Sequence, residues 1–150
     1  MSKFILDEWL WHDLSGENGK EKQKETFNFL ETMYKKCDKI VVAKNSKFVE
    51  KEKEFSKIAL DILKHKIAKL YFGLIRFNSQ KCEEVDIENI EEEIDFTGIN
   101  PDDMYLLKIY YKIKAPIITT DIKLKNSLEN KNIECKLRDD FLKEYFKPME

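Results

Sequence analysis

The stretch Pro116-Ile117-Ile118-Thr119-Thr120-Asp121-Ile122-Lys123-Leu124-Lys125-Asn126-Ser127-Leu128 decides how the chain is read. Ile117 and Ile118 form an apolar run closed by two hydroxyl residues, the pattern of a short buried strand over residues 116–120. Asp121 follows at once, and the next residues turn into a lysine-rich helical pattern over 122–128. Asp121 therefore stands at a strand end and a helix start together. It either caps that helix through its carboxylate or walls a ligand site. The spacing alone leaves both roles open.

The same alternation runs through the rest of the chain. Phe4-Ile5-Leu6 reads as a buried strand ending in Asp7-Glu8, followed by Trp9, Leu10, Trp11 and a turn-rich stretch at 15–19. Phe27, Leu30, Met33 and Tyr34 recur at helical spacing within 21–36. Lys39-Ile40-Val41-Val42-Ala43 is β-branched and bounded by charge, a second strand. Residues 46–74 carry a long helical pattern, with Phe55, Ile58, Ala59, Ile62, Ile67, Leu70, Tyr71 and Leu74 on one side; its drift allows two helices. Val85, Ile87, Ile90 and Ile94, within 82–96, suit a short strand and a helical turn. Asn100-Pro101-Asp102-Asp103 marks a helix start with proline at the first position. Leu106, Leu107, Ile109, Tyr110, Tyr111 and Ile113 make the helix that follows apolar nearly all round, hence buried on most sides. A last strand at 133–137 and a closing helix bearing Phe141, Leu142, Tyr145 and Phe146 complete the order. Strands alternating with helices predict an α/β fold, a three-layer α/β/α sandwich around a mostly parallel sheet, in one domain over 1–150.

Composition narrows the class. With 42% hydrophobic and 37% charged residues, the chain has enough apolar surface for a core and no stretch near the ~20 apolar residues of a membrane span. The N-terminal apolar run is too short for a signal peptide. Cys37, Cys82 and Cys135 are odd in number and scattered, so neither a disulfide framework nor a zinc site is expected; a reduced, cytoplasmic setting follows. The lysine, glutamate and isoleucine richness suits a thermophile. Net charge is −2, but its distribution is uneven: lysines dominate 35–69, while all charges in 83–103 are acidic. Such segregation suits a polyanion on one surface and a cation on another, or simply solvated faces on ordinary helices.

Ligands of open parallel sheets bind outside the carboxyl ends of the strands. Asp7 and Asp121 lie at such ends by position. Asp103 (or Asp102) and Glu50 lie near helix starts expected to face the same edge. Asp102, Asp103 and Asp121 have an alternative role as helix caps, whereas Asp7 has no obvious helix to cap. Carboxylates converging on one edge repel each other unless a cation compensates, and oxygen-only ligand sets suit Mg²⁺ or Mn²⁺.

Taken together, three stretches resemble the PIN-domain nuclease superfamily, most closely its divergent archaeal members. Phe4-Ile5-Leu6-Asp7-Glu8 is similar to the family's first strand with its aspartate. Asp103-Met104-Tyr105-Leu106-Leu107-Lys108-Ile109 begins like its central helix, with an acid at the N-terminus. Ile117-Ile118-Thr119-Thr120-Asp121 resembles the strand that ends in a hydroxyl residue, any residue and aspartate. The resemblance implies an acidic quartet of Asp7, Glu50, Asp103 and Asp121 holding Mg²⁺ or Mn²⁺, with Glu52 and Glu54 as alternatives to Glu50. It gives Thr119 and Thr120 supporting roles toward water or phosphate. The implied activity is metal-dependent endoribonucleolytic hydrolysis of single-stranded or structured RNA, in the family often by the toxin of a toxin–antitoxin pair and often as a homodimer. Lys44, Lys47, Lys123 and Lys125 are the expected phosphate contacts. Trp9 and Trp11 either stack on bases or belong to the core, and His12 and His65 are expected to be bystanders. Bulky Leu106, Leu107 and Ile109 replace the family's usual small residue in the central helix. A catalytically degenerate PIN-like module, binding RNA or serving as an assembly subunit, is the second reading.

Overall fold

The structure, a computed structural model, describes residues 2–58 and 61–147. Five strands form one sheet: β1 (Lys3–Leu6), β2 (Lys39–Ala43), β3 (Cys82–Val85), β4 (Ile117–Thr119) and β5 (Cys135–Leu137). Their order is β3-β2-β1-β4-β5 and every pairing is parallel. Ile5 pairs with Ile117 and Leu6 with Ile118, so β1 and β4 end side by side. Among the described residues seven α-helices connect and flank the strands: α1 (Trp9–Leu14), α2 (Lys20–Lys35), α3 (Lys47–Lys57), α4 (Ile62–Leu70), α5 (Met104–Lys112), α6 (Ile122–Asn130) and α7 (Arg138–Tyr145). The expected α/β architecture is present, with an all-parallel sheet.

Alternate residues of a strand point to opposite faces, yet Phe4, Ile5 and Leu6 are all buried, as are Ile40 through Ala43. Both faces of the central strands are therefore covered, the usual condition of a parallel sheet. On one face Phe4 meets Phe29 of α2 and Phe141 and Tyr145 of α7, with ring centroids 4.9–6.5 Å apart. Trp11 of α1 lies among Phe48, Phe55, Tyr71 and Phe72. Full burial of one such side chain contributes about 1.5–3 kcal/mol, so Trp9 and Trp11, each 3% exposed, belong to the core and present no face to a base.

The structure corrects several sequence expectations. A helix does follow Asp7: the indole N–H of Trp9 donates to the Ile118 carbonyl at 2.8 Å and ties α1 to β4. Of the alternatives left open for 46–74 the structure has two helices, the second begun by Asp61, which accepts a hydrogen bond from the Lys64 N–H at 2.8 Å. Reorientation there leaves Ile58, Ile62 and Leu74 exposed, off the apolar side on which they were expected. Ala59 lies outside the described residues. The second helix ends in a π turn, Tyr71–Ile75. After β3 no helical turn forms; residues 86–100 run irregularly until Pro101–Asp103 makes a 3₁₀ turn into α5. In that stretch five acids fall between Glu88 and Asp95 with Ile90 and Ile94 only partly buried, so too little apolar surface is available to hold a helix against the sheet.

Candidate active site

The strand order reverses direction at β1, so the carboxyl ends of β1 and β4 form the switch point where open α/β sheets bind ligands. Asp7 and Asp121 leave the sheet there. Thr119, fully buried at the end of β4, joins them. Its hydroxyl donates to Asp7 Oδ2 at 2.7 Å and accepts the Asp121 N–H at 3.1 Å. Asp7 Oδ1 accepts the Glu8 N–H at 2.6 Å. Burial raises the proton affinity of Asp7 against these two donors, and the charge of Asp121 raises it further.

Asp103 arrives from a third element. It occupies the N-cap position of α5, yet its side chain makes no capping bond; Asn100 instead caps the preceding 3₁₀ turn, its Oδ1 accepting from the Asp102 N–H. Burial, followed by the charges of Asp7, Asp121, Glu8 and Asp102, pushes the Asp103 carboxyl up to about 6. Glu8 is also raised, by burial first and by Asp7 next, while Lys47, Lys51 and His12 oppose the shift. A cleft of about 380 Å³ lies between these groups, lined by Asp7, Glu8, Asp102, Asp103, His12 and Thr120 among others.

Asp121 is a cap after all. Its Oδ1 accepts from the Lys123 and Leu124 N–H groups at 2.9 and 3.2 Å. Its charge still acts on Asp7 and Asp103. One carboxylate thus starts α6 and contributes to the acidic field of the cleft. Thr120 is exposed on the cleft wall, whereas Thr119 acts through Asp7.

The helix α3 acids do not join this group. Phe48, Val49, Glu52 and Phe55 form the inward face of α3, which turns Glu50 to solvent, outside the cleft lining. Glu52 is buried but committed to Arg76, at 2.9 Å, and to the Tyr71 hydroxyl, at 2.7 Å. Glu54 pairs with Lys51 at 3.4 Å. The acids that line the cleft are Asp7, Glu8, Asp102 and Asp103; Asp121 lies outside its lining and acts there through its charge. The signal for Glu8 was the Asp7-Glu8 pair itself, readable only once α1 is known to start immediately afterwards and hold it at the edge.

The expected lysines are dispersed. Lys47 is ion-paired with Asp102 at 2.6 Å across the cleft rim. Lys125 pairs with Glu129 along α6. Lys44 and Lys123 are exposed. His12 Nδ1 lies 2.6 Å from Glu17 Oε2, and His65 is exposed on α4. A larger depression of about 450 Å³ lies between α2 and α7, but its Arg138 is committed to Asp13, Glu25 and Asp139.

Among the described residues no group of three or more His, Cys, Asp or Glu side chains is gathered to hold a metal ion. The chemistry of the donors nevertheless suits a hard divalent cation: all are carboxylates, and burial first, then the charge of neighbouring carboxylates, raises the proton affinity of three of them. Asp103, which makes no capping bond, lines the cleft. Among the described residues no helix is long and apolar enough to cross a membrane. Compared with models of known protein families and with the sequences of curated proteins, the chain matches none.

Proposed function

We propose that the chain is a metal-dependent nuclease that hydrolyses RNA phosphodiester bonds at this cleft. The observation that carries the reading is that Asp7, Asp103 and Asp121 come from three separate elements and stand near enough for the charges of Asp7 and Asp121 to add to the burial that raises Asp103. Asp7, Glu8, Asp103 and Asp121 would hold Mg²⁺ or Mn²⁺, with Glu8 in the place first expected for Glu50. Such an ion acidifies water and offsets the charge that develops on the phosphate and leaving oxygen.

The chain's own residues supply the rest. Thr119 keeps one Asp7 oxygen oriented, and the Glu8 N–H keeps the other. Exposed Lys44 and Lys123 offer salt-dependent, sequence-independent contacts to the RNA backbone. Lys47 would reach phosphate only by exchanging its Asp102 partner. The resemblance noted above adds a toxin-type role, an antitoxin partner and a homodimeric state to this proposal.

A second reading, a PIN-like module that binds RNA or assembles without cutting, is favoured by one observation: the carboxylates are not gathered into a ligand set among the described residues. Labelled single-stranded RNA, incubated with Mg²⁺, Mn²⁺ or EDTA, separates the two. The nuclease reading expects metal-dependent cutting that Asp7→Asn and Asp121→Asn abolish. RNA binding without cutting in any metal would establish the second reading, and cutting that persists unchanged in both variants would remove these acids from the mechanism.

A further inference from the structure

A further depression, of about 350 Å³, is lined by Lys22 of α2, Thr120, Ile122 at the start of α6, Leu137 at the end of β5, and Asp139 and Asp140 of α7. Thr120 also lines the acidic cleft, so the two hollows share a wall. The sheet explains their proximity. Thr119 pairs with Leu137 across β4 and β5, and the Thr119 hydroxyl holds Asp7. The depression therefore continues the carboxyl edge of the sheet by one strand, from the acids of the cleft to the end of β5.

Its walls are held in place. Arg138, the buried first residue of α7, donates to the Lys22 carbonyl at 3.4 Å, to Glu25 at 2.9 Å and to Asp139 at 2.6 Å. Those bonds commit Arg138 and Asp139; Lys22 and Asp140, both exposed, are the charged side chains of the hollow that they leave out. Ile122 is apolar yet 61% exposed, and with Leu137 it gives the hollow an apolar surface. A hollow of this volume, with apolar walls and a few polar groups, suits a small ligand that has apolar faces and a polar edge. A phosphate would meet the charges of Asp139 and Asp140, whereas a neutral nucleobase does not.

The charges choose among the bases. An ionised carboxylate only accepts hydrogen bonds and an ammonium only donates them. Guanine alone of the RNA bases carries two adjacent donors on its pairing edge, N1–H and the N2 amino group, beside the acceptor O6; in the others each donor adjoins an acceptor. We propose that this depression binds the guanine of a nucleotide neighbouring the phosphate in the cleft. Its N1–H and N2–H groups donate to Asp140, O6 accepts from Lys22, and the ring lies on Ile122 and Leu137. The proposal rests on the RNA reading for its substrate and adds the base that the chain selects.

The probes are 2′-O-methyl uridine decamers carrying one central guanosine, one central inosine or neither, bound to wild-type protein and to Asp140→Asn in Mg²⁺. Unmodified RNA of the same sequences, with Mg²⁺ or Mn²⁺, reports cutting. Inosine keeps N1–H and O6 and lacks the N2 amino group. The proposal expects wild type to bind the guanosine decamer roughly ten-fold more tightly than the inosine decamer, the scale of one hydrogen bond to a charged group. Asp140→Asn should lose most of that preference. The preference is a ratio within each protein, so a variant that merely folds less well would lower both affinities and keep it. Guanosine-selective binding without cutting would keep the base site and remove the nuclease reading. Cutting or binding that does not distinguish guanosine from inosine would keep the nuclease reading and overturn the base site. A preference that survives Asp140→Asn, or no binding of any decamer, would overturn it as well.

Discussion

The Thr119 hydroxyl donates to Asp7 Oδ2 at 2.7 Å, linking residues that lie 112 positions apart and end neighbouring strands. The same oxygen accepts the Asp121 N–H, so one buried hydroxyl positions both strand-end aspartates. This arrangement, more than any single acid, is what makes the carboxyl edge of the sheet a site.

Thr119→Val keeps the shape of the side chain and removes that hydrogen bond. Asp7 Oδ2 then loses its donor and the Asp121 N–H its acceptor, with an expected cost of about 1–3 kcal/mol in a chemical-denaturation experiment. Because the hydrogen bond holds the Asp7 proton affinity down, its carboxyl titrates at a higher pH in the variant. A ¹³Cγ titration of Asp7 in the two proteins checks the direction.

Asp103 sets a pH dependence whose sign is opposite to that of a paired aspartate. Its carboxyl titrates at about 6 in the folded protein against an ordinary value of 3.8. Between those values the folded state binds more protons than the unfolded one, so its contribution to stability falls as pH rises through that window, and the full penalty applies above about 6. Asp103→Asn in metal-free protein should therefore raise the thermal midpoint at pH 7.5, and the gain should shrink as pH is lowered below 6. A gain independent of pH from 4 to 8 would mean that charge is not its cause.

Much of the fold was legible because strands and helices here carry distinct periods. Lys39–Ala43 is found where its β-branched run predicts it, and Ile117, Ile118 and Asp121 fall as their pattern requires. Asp7, Asp103 and Asp121 were identifiable as candidates because strand ends and helix starts are local features. Glu50 stands outside the cleft lining because its orientation depends on the rotation of α3. Phe48, Glu52 and Phe55 mark the inward face at helical spacing, and that face excludes residue 50. Glu52 occupies the inward position, but Arg76, distant in sequence, captures it. Glu8 was passed over because its place at the cleft depends on α1 starting immediately after it and on Asp102 and Asp103 arriving from a distant element. Over residues 86–100 scattered isoleucines suggested a helical turn, but they offer too little apolar surface to hold one against the sheet.

Glu8 and Glu50 should separate cleanly in function. Glu8→Gln is expected to lower metal-dependent RNA cleavage by roughly 10²-fold, the usual scale for removing one charged group from a preorganised site. Glu50→Gln is expected to leave the rate within about two-fold, since its side chain is solvent-exposed and outside the cleft lining. Single-turnover cleavage of one labelled RNA by both variants decides between them; the reverse order would restore Glu50 to the site.

Arg138 has a purely structural part. It is 3% exposed and donates to Asp13 at 2.9 Å, with Glu25 and Asp139 as further partners. Arg138→Met leaves Asp13 buried without its cation, a loss of about 3–5 kcal/mol by the usual behaviour of broken buried pairs, toward the lower end because Thr26 and Asn18 still donate to Asp13. Denaturation should show the full loss, while Mn²⁺ affinity, measured where the variant is still folded, should be unchanged.

The central claim is that Asp7, Glu8, Asp103 and Asp121 together bind a divalent cation, and Mn²⁺ binding followed by electron paramagnetic resonance addresses it most directly. The free-Mn²⁺ signal should fall on adding wild-type protein at pH 7.5, to a stoichiometry of at least one ion per chain. It should fall far less at pH 5, where Asp103 is protonated, and far less with Asp7→Asn at either pH. A signal that wild-type protein leaves unchanged, or that Asp7→Asn lowers as much as wild type does, would contradict the account.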